Sequence, residues 1–199
     1  MTTVDWSNFI QFLLFSTLEM FAAFVFMMAL FRMNPFDYVW QASIVAILMG
    51  LQSFFLRGEI GLASLAPVVN IMLYILLLKT VVKMPILWAA IISCTGYFIY
   101  AFIQSLFVSY IDGQQLQLVT SILIMIVSFV LYKFGIGFAR DFNKLILKGE
   151  HIIVVAIIIV TFILLGLTMY LHQIWMNILF FGITTGIFLY YAIKKERED

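Results

Sequence analysis

The run FIQFLLFSTLEMFAAFVFMMALF, residues 9–31, decides the class of this protein. Its only charge is Glu19. A membrane-spanning helix needs ~20 mainly apolar residues, and this run supplies them. Six further runs do the same, at about 36–56, 60–78, 85–111, 115–134, 152–171 and 174–193. Barrel strands are shorter and alternate apolar with polar residues, which these runs do not. No basic residue precedes the first run, and it is too long for the apolar region of a cleaved signal peptide. The expected fold is an all-α, polytopic transmembrane bundle of seven spans, a single integral membrane domain over residues 1–199.

Composition agrees. Of 199 residues, 65% are apolar and 11% charged, with a mean hydropathy of +1.13. Soluble domains are about half apolar and about a quarter charged. A net charge of +1 gives no electrostatic case for a nucleic-acid partner. The lone Cys94 excludes an internal disulfide framework, and His151 and His172 form no zinc motif. No cofactor is implied.

The hardest boundary lies inside 152–193. His172 and Gln173 are the strongly polar consecutive pair there, so a tight turn is placed at 171–174. Charge supports the split. With seven spans, Arg32, Lys79, Lys83, Lys133, Arg140, Lys144, Lys148, Lys194, Lys195 and Arg197 share one side, and Arg57 stands on the other. Lys and Arg are enriched in cytoplasmic loops. The N-terminus is therefore expected outside and the C-terminus inside. Trp6 and Trp175 fall at outer ends, Trp40 and Trp88 at inner ends, where indole rings favour the interface.

Between the fifth and sixth runs, Phe134, Phe138, Phe142 and Leu145 recur at helical spacing beside Arg140, Lys144 and Lys148. This reads as a short helix on the cytoplasmic leaflet, contacting lipid or docking a cytoplasmic protein partner. Small residues that let helices approach are Ala42, Ala46 and Gly50, Ala89 with Ser93, Ala90 with Cys94, and Gly182 with Gly186. The last pair serves packing within the chain or a homodimer face. Pro67 is expected to kink the third span.

Glu19 is the one acid deep within a span. A charge at a helix centre costs ~3 kcal/mol on insertion scales. Glu19 is thus neutral, paired or facing water. One reading is a protonated acid bonded to Gln52, Asn70 or Gln104. The other is a ligand or proton site. Counted from the span ends, Gln52, Gln104, Thr120, Ser121, Thr168 and Asn177 fall in the outer half, and His172 at the outer surface. This outward bias suits a pocket opening outside, and Tyr97, Tyr100 and Tyr170 could wall it. The candidate pocket set is Glu19, Gln52, Asn70, Tyr97, Gln104, His172 and Asn177. Polar residues near any outer interface also reach water without a pocket.

Enzyme readings are weak. Cys94 has no histidine near it along the chain to act as base. Paired intramembrane acids are missing, since Asp5, Asp37, Asp112, Asp141 and Asp199 lie in loops or at termini. Ala139-Arg140-Asp141 lacks the acid cluster of phosphatidyl transferases, and no glycine-rich phosphate loop occurs.

Seven spans, an outer N-terminus, an outward polar bias and the basic tail Lys194-Lys195-Glu196-Arg197-Glu198-Asp199 resemble the membrane sensor region of accessory-gene-regulator-type peptide-sensing histidine kinases. The resemblance is one of topology over spans 1–7. It implies a multi-pass, signal-sensing module of the cell membrane, in a bacterial cytoplasmic membrane. The sequence carries no phosphoacceptor or ATP-binding region after the tail. The expectation is therefore a sensor working through a partner, or a piece of a longer chain. Two alternatives stand beside it: a substrate-binding membrane subunit of a small-molecule uptake transporter, or a ligand-free structural membrane subunit.

The topology is directly testable. In a Cys94→Ser background, a cysteine at Gln114 or His172 should react with an impermeant thiol reagent added outside. One at Asn143 should not. Outside labelling at position 143 would reverse the orientation.

Overall fold

The computed structural model describes residues 6–58, 63–111 and 113–138, together with residues 159, 163, 182, 183, 186 and 190. Five α-helices fill the continuous part: α1 (Trp6–Leu30), α2 (Val39–Gly58), α3 (Ala66–Thr80), α4 (Ile86–Phe107) and α5 (Gly113–Phe134). A 3-10 turn, Pro35–Tyr38, leads into α2, and another, Ala63–Leu65, precedes α3. No strand occurs among the described residues. Four helical segments there are long and apolar enough to cross a membrane: Trp6–Leu30, Pro35–Arg57, Ile86–Phe107 and Gly113–Phe134. The expected spans at 152–171 and 174–193 lie outside the described residues, apart from isolated positions.

The third run departs from expectation. Its helix starts at Ala66, so Pro67 stands in the first turn rather than mid-span. There the missing N–H has no partner inside the helix to lose, and the fixed φ suits the turn. Pro67 starts α3 instead of kinking it. The remaining 15 residues rise about 22 Å at 1.5 Å per residue, short of a hydrocarbon core of about 30 Å.

The helix ends follow from backbone chemistry. At the end of α1, Arg32 takes a left-handed conformation (φ 53°). Arg32 N–H then donates to Ala29 O at 3.0 Å, and Met33 N–H to Met28 O at 2.8 Å. This is the Schellman pattern, which satisfies the last carbonyls of a helix. Gly135 ends α5 the same way (φ 63°), with Ile136 N–H donating to Leu131 O at 3.0 Å. The chain then folds onto α1. Phe138 N–H donates to Leu30 O at 2.8 Å, and the Phe138 and Phe31 rings stand 5.3 Å apart. Phe134 and Phe138 therefore do not share one surface helix, contrary to the sequence reading. The first is the exposed last residue of α5, and the second is docked on α1. Arg140, Lys144 and Lys148 lie outside the described residues.

α1 is the hub, packing against α2, α4 and α5, while α3 packs against α2 and α4. Side-chain pairs fix the directions. Glu19 meets Gln104, and Met27 faces Gly96, so α1 and α4 are antiparallel. Phe9 and Phe12 meet Phe54, so α2 is antiparallel to α1 as well. Tyr74 bonds Met20, and Phe138 bonds Leu30, so α3 and α5 run with α1. One end of the bundle thus gathers Arg32, Lys79, Lys83 and Lys133, and the other holds Arg57. These are called the Arg32 end and the Trp6 end. Trp40 is exposed at the Arg32 end as expected, but Trp88 is buried there among core residues.

The core occupies the Arg32 half. It joins Phe24, Met27, Met28 and Phe31 of α1 and its end to Ile71 and Leu78 of α3, Ile92 and Phe98 of α4, and Ile124 of α5. Ala42 and Ala46 are buried, and Gly50 lies against Leu13, Ser16 and Thr17. The small-residue stripe on α2 therefore serves packing within the chain. The tightest crossing lies elsewhere, at Gly96. A Cβ there would overlap the Met27 side chain and stand 3.3 Å from the Met27 Cα. With no methyl group to separate them, α1 and α4 pack backbone to side chain.

This contact carries a prediction. Gly96→Ala should destabilise the protein by about 1–3 kcal/mol, the usual range for overpacking, read as a lower melting temperature in detergent. Gly186→Ala, where a Cβ meets none of the described residues within 4 Å, should leave the melting temperature near wild type. Equal effects at both positions would deny the close α1–α4 contact.

Candidate functional site

Glu19 lies on the side of α1 enclosed by the bundle and is 7% exposed. A carboxyl so placed cannot be solvated from bulk water and needs partners inside the protein. It has one. Gln104 of α4 donates from Nε2 to Glu19 Oε1 at 2.9 Å. The side chain of Gln117, from α5, lies beside the same carboxyl. Arg57, at the end of α2, is near enough for its charge to act on Glu19. Arg57 itself lies over the Phe12 ring, 5.9 Å from its centroid. Three helices thus bring polar or charged groups toward one acid.

Tyrosines surround this point. Tyr74, Tyr97 and Tyr100 are buried and within electrostatic range of Glu19. Tyr74 OH donates to Met20 O at 2.7 Å, tying α3 to α1. Tyr100 OH lies 3.4 Å from both Thr120 Oγ1 and Ser121 Oγ, tying α4 to α5. Tyr97 stacks at a tilt against Tyr74, their centroids 6.4 Å apart. Polar atoms in a low-dielectric interior strengthen one another and are costly when unpaired.

A second polar cluster stands between α2 and α3. Asn70 Nδ2 donates to Ser53 Oγ at 3.4 Å. Asn70 Oδ1 and both amide atoms of Gln52 are buried without a hydrogen-bond partner. Of the three partners expected for Glu19, the structure joins Gln104 to it. Asn70 bonds Ser53 instead, and the Gln52 amide has no hydrogen-bond partner among the described residues. His172 and Asn177 lie outside the described residues. Gly182 faces Phe102, where a Cβ would stand 3.2 Å from the ring, and a Cβ on Gly186 would meet none of the described residues within 4 Å.

Sequence reasoning passed over Gln117 and Ser53. Gln117 lies near two other glutamines, Gln114 and Gln115, at the start of the 115–134 run. Its spacing of three from Thr120 places both on one helix face, a signal that was readable. Ser53 had no such signal, since a small hydroxyl in an apolar run is ordinary.

Comparison with protein-family models, with curated proteins and with solved structures finds no match for this chain. Its several apolar helices mark it as a membrane protein.

A double-mutant cycle tests the central pair. Gln104→Leu and Glu19→Leu should each lower stability, and their coupling energy should fall at about 0.5–2 kcal/mol, the range of interhelical hydrogen bonds in membranes. Reversible unfolding in detergent measures it. Strict additivity would mean that the two side chains do not bond.

Proposed function

We propose that this chain is a signal-sensing membrane module that acts through a partner, with Glu19 at the centre of its sensing site. The observation that carries the reading is the convergence of Gln104, Gln117, Arg57 and three tyrosines on one buried acid. A bundle held together by packing alone has no need of an acid at this depth. In this reading the chain crosses the membrane seven times. The Trp6 end faces outside and the Arg32 end faces the cytoplasm, because basic residues collect at the latter. The polar cluster then lies toward the outer half, where an extracellular ligand can arrive. Arg140, Lys144 and Lys148 meet anionic lipid or a cytoplasmic partner. A homodimer, where one forms, uses Gly182 and Gly186. The membrane is the cytoplasmic membrane of a bacterium, and the reading includes no catalytic step.

The arrangement gives the signal a physical form. Glu19 can exchange the Gln104 amide for a ligand group, or gain and lose a proton, and either event alters the bonding between α1 and α4. A ligand shifts such an equilibrium only through different affinity for the two arrangements.

Glu19→Gln separates sensing from packing. It keeps the shape and one acceptor but removes the titratable proton. In the native host, transcript profiles would be compared between wild type, a deletion strain and a strain carrying Glu19→Gln. The variant should reach wild-type levels in the membrane, yet its profile should match the deletion strain. A profile matching wild type would leave a structural subunit as the better reading. Loss of solute uptake in the deletion strain, without transcript changes, would favour a transporter subunit.

A further inference from the structure

The α2–α3 cluster is a separate feature, and the sensing proposal does not require it. Three atoms there, Gln52 Nε2, Gln52 Oε1 and Asn70 Oδ1, are buried and unbonded within a few residues of one another along antiparallel helices. The Asn70–Ser53 bond sets the register, and Gln52 is adjacent to Ser53 in the chain. An unpaired buried polar atom costs about 1–3 kcal/mol. Several on one patch are rare in native proteins, where buried polar groups find protein or water partners.

The groups also have a definite chemistry. A carboxamide offers a donor at one atom and an acceptor at the other. Asn70 Oδ1 adds an acceptor, and Ser53 adds a hydroxyl that does either. No net charge stands within the set. A charged ligand would lack a counter-charge in it. An apolar one would leave every polar atom unpaired. The fitting occupant is small, neutral, and both donor and acceptor. We infer that Gln52, Ser53 and Asn70 bind buried water between α2 and α3, in the same half of the bundle as Glu19. A water needs two to four polar partners, and this set supplies them. The α2–α3 contact is thus bridged by solvent at its Trp6 end.

Radiolytic footprinting of the full chain in lipid nanodiscs reads this directly, because a bound water generates hydroxyl radical where it sits. Met49 precedes Gln52 by one helical turn, and Met27 and Met28 lie in the apolar core. All three are 0% exposed, so bulk solvent reaches them equally poorly. Met49 should be oxidised at least fivefold faster than Met27 and Met28. In Gln52→Leu/Asn70→Leu its rate should fall to theirs. Equal rates for the three methionines in the wild-type protein would overturn the inference, whether or not the double variant folds. A Met49 rate unchanged in a folded double variant would overturn the assignment to these residues.

Discussion

The enclosure of α1 constrains the rest of the structure. From Ala22 to Phe31 nearly every side chain is buried, on all sides of the helix. A spanning helix ordinarily keeps a lipid face, but this one is ringed by protein over its second half. Two consequences follow. The surrounding helices must come close, which Gly96 permits by giving Met27 room. Any polar group on the enclosed part of α1 must also be satisfied by a neighbouring helix. Glu19 stands where the enclosure begins, and Gln104 is the neighbour that meets it.

The same enclosure divides the bundle by chemistry. Toward the Arg32 end, α1 presents Phe, Met and Ala to its neighbours, and contact there comes from dispersion and fit. Toward the Trp6 end, Glu19 is answered by the Gln104 amide of α4, and Ser16 and Thr17 stand against Gly50 of α2. Fit is specific but stiff. Hydrogen bonds between side chains can be exchanged at little cost when another partner is at hand. Differences in bonding are therefore accommodated in the Trp6 half.

Much of this was legible in the sequence, and the reasons are physical. Long apolar runs have one structural solution in lipid, so the first, second, fourth and fifth helices fall close to the runs at 9–31, 36–56, 85–111 and 115–134. Glu19 was conspicuous because an acid at that depth is costly, and Gln104 was among its expected partners. The choice of Gln104 over Gln52 and Asn70 was not legible. It depends on which face of α4 turns to α1, and a nearly uniform apolar helix carries little periodicity to reveal that. Pro67 shows a different limit. Its effect depends on its position in the helix, and the apolar run extends past the start of α3, so hydropathy placed that start too early. Phe138 matched a helical period by spacing alone. The left-handed turn at Gly135 breaks the helix before the period can apply.

The two halves are joined by α1 itself. From Glu19 to Leu30 the helix runs eleven residues, about 16 Å at 1.5 Å per residue, without a proline or glycine to absorb bending. At its end, the Leu30 carbonyl accepts from Phe138 N–H. The backbone of Gly137 passes so close to that carbonyl that a Cβ at Gly137 would stand 3.0 Å from the Leu30 carbonyl carbon and 3.2 Å from Ala29 O. α1 is therefore gripped at one point by Gln104 and at another by the segment after α5. A close-packed interior transmits displacement rather than absorbing it. A shift of α1 relative to α4 at Glu19 must then either break the Leu30–Phe138 bond or carry Phe138 with it. That puts Phe138, two residues before Arg140 in the sequence, in mechanical contact with the helix that bears the buried acid.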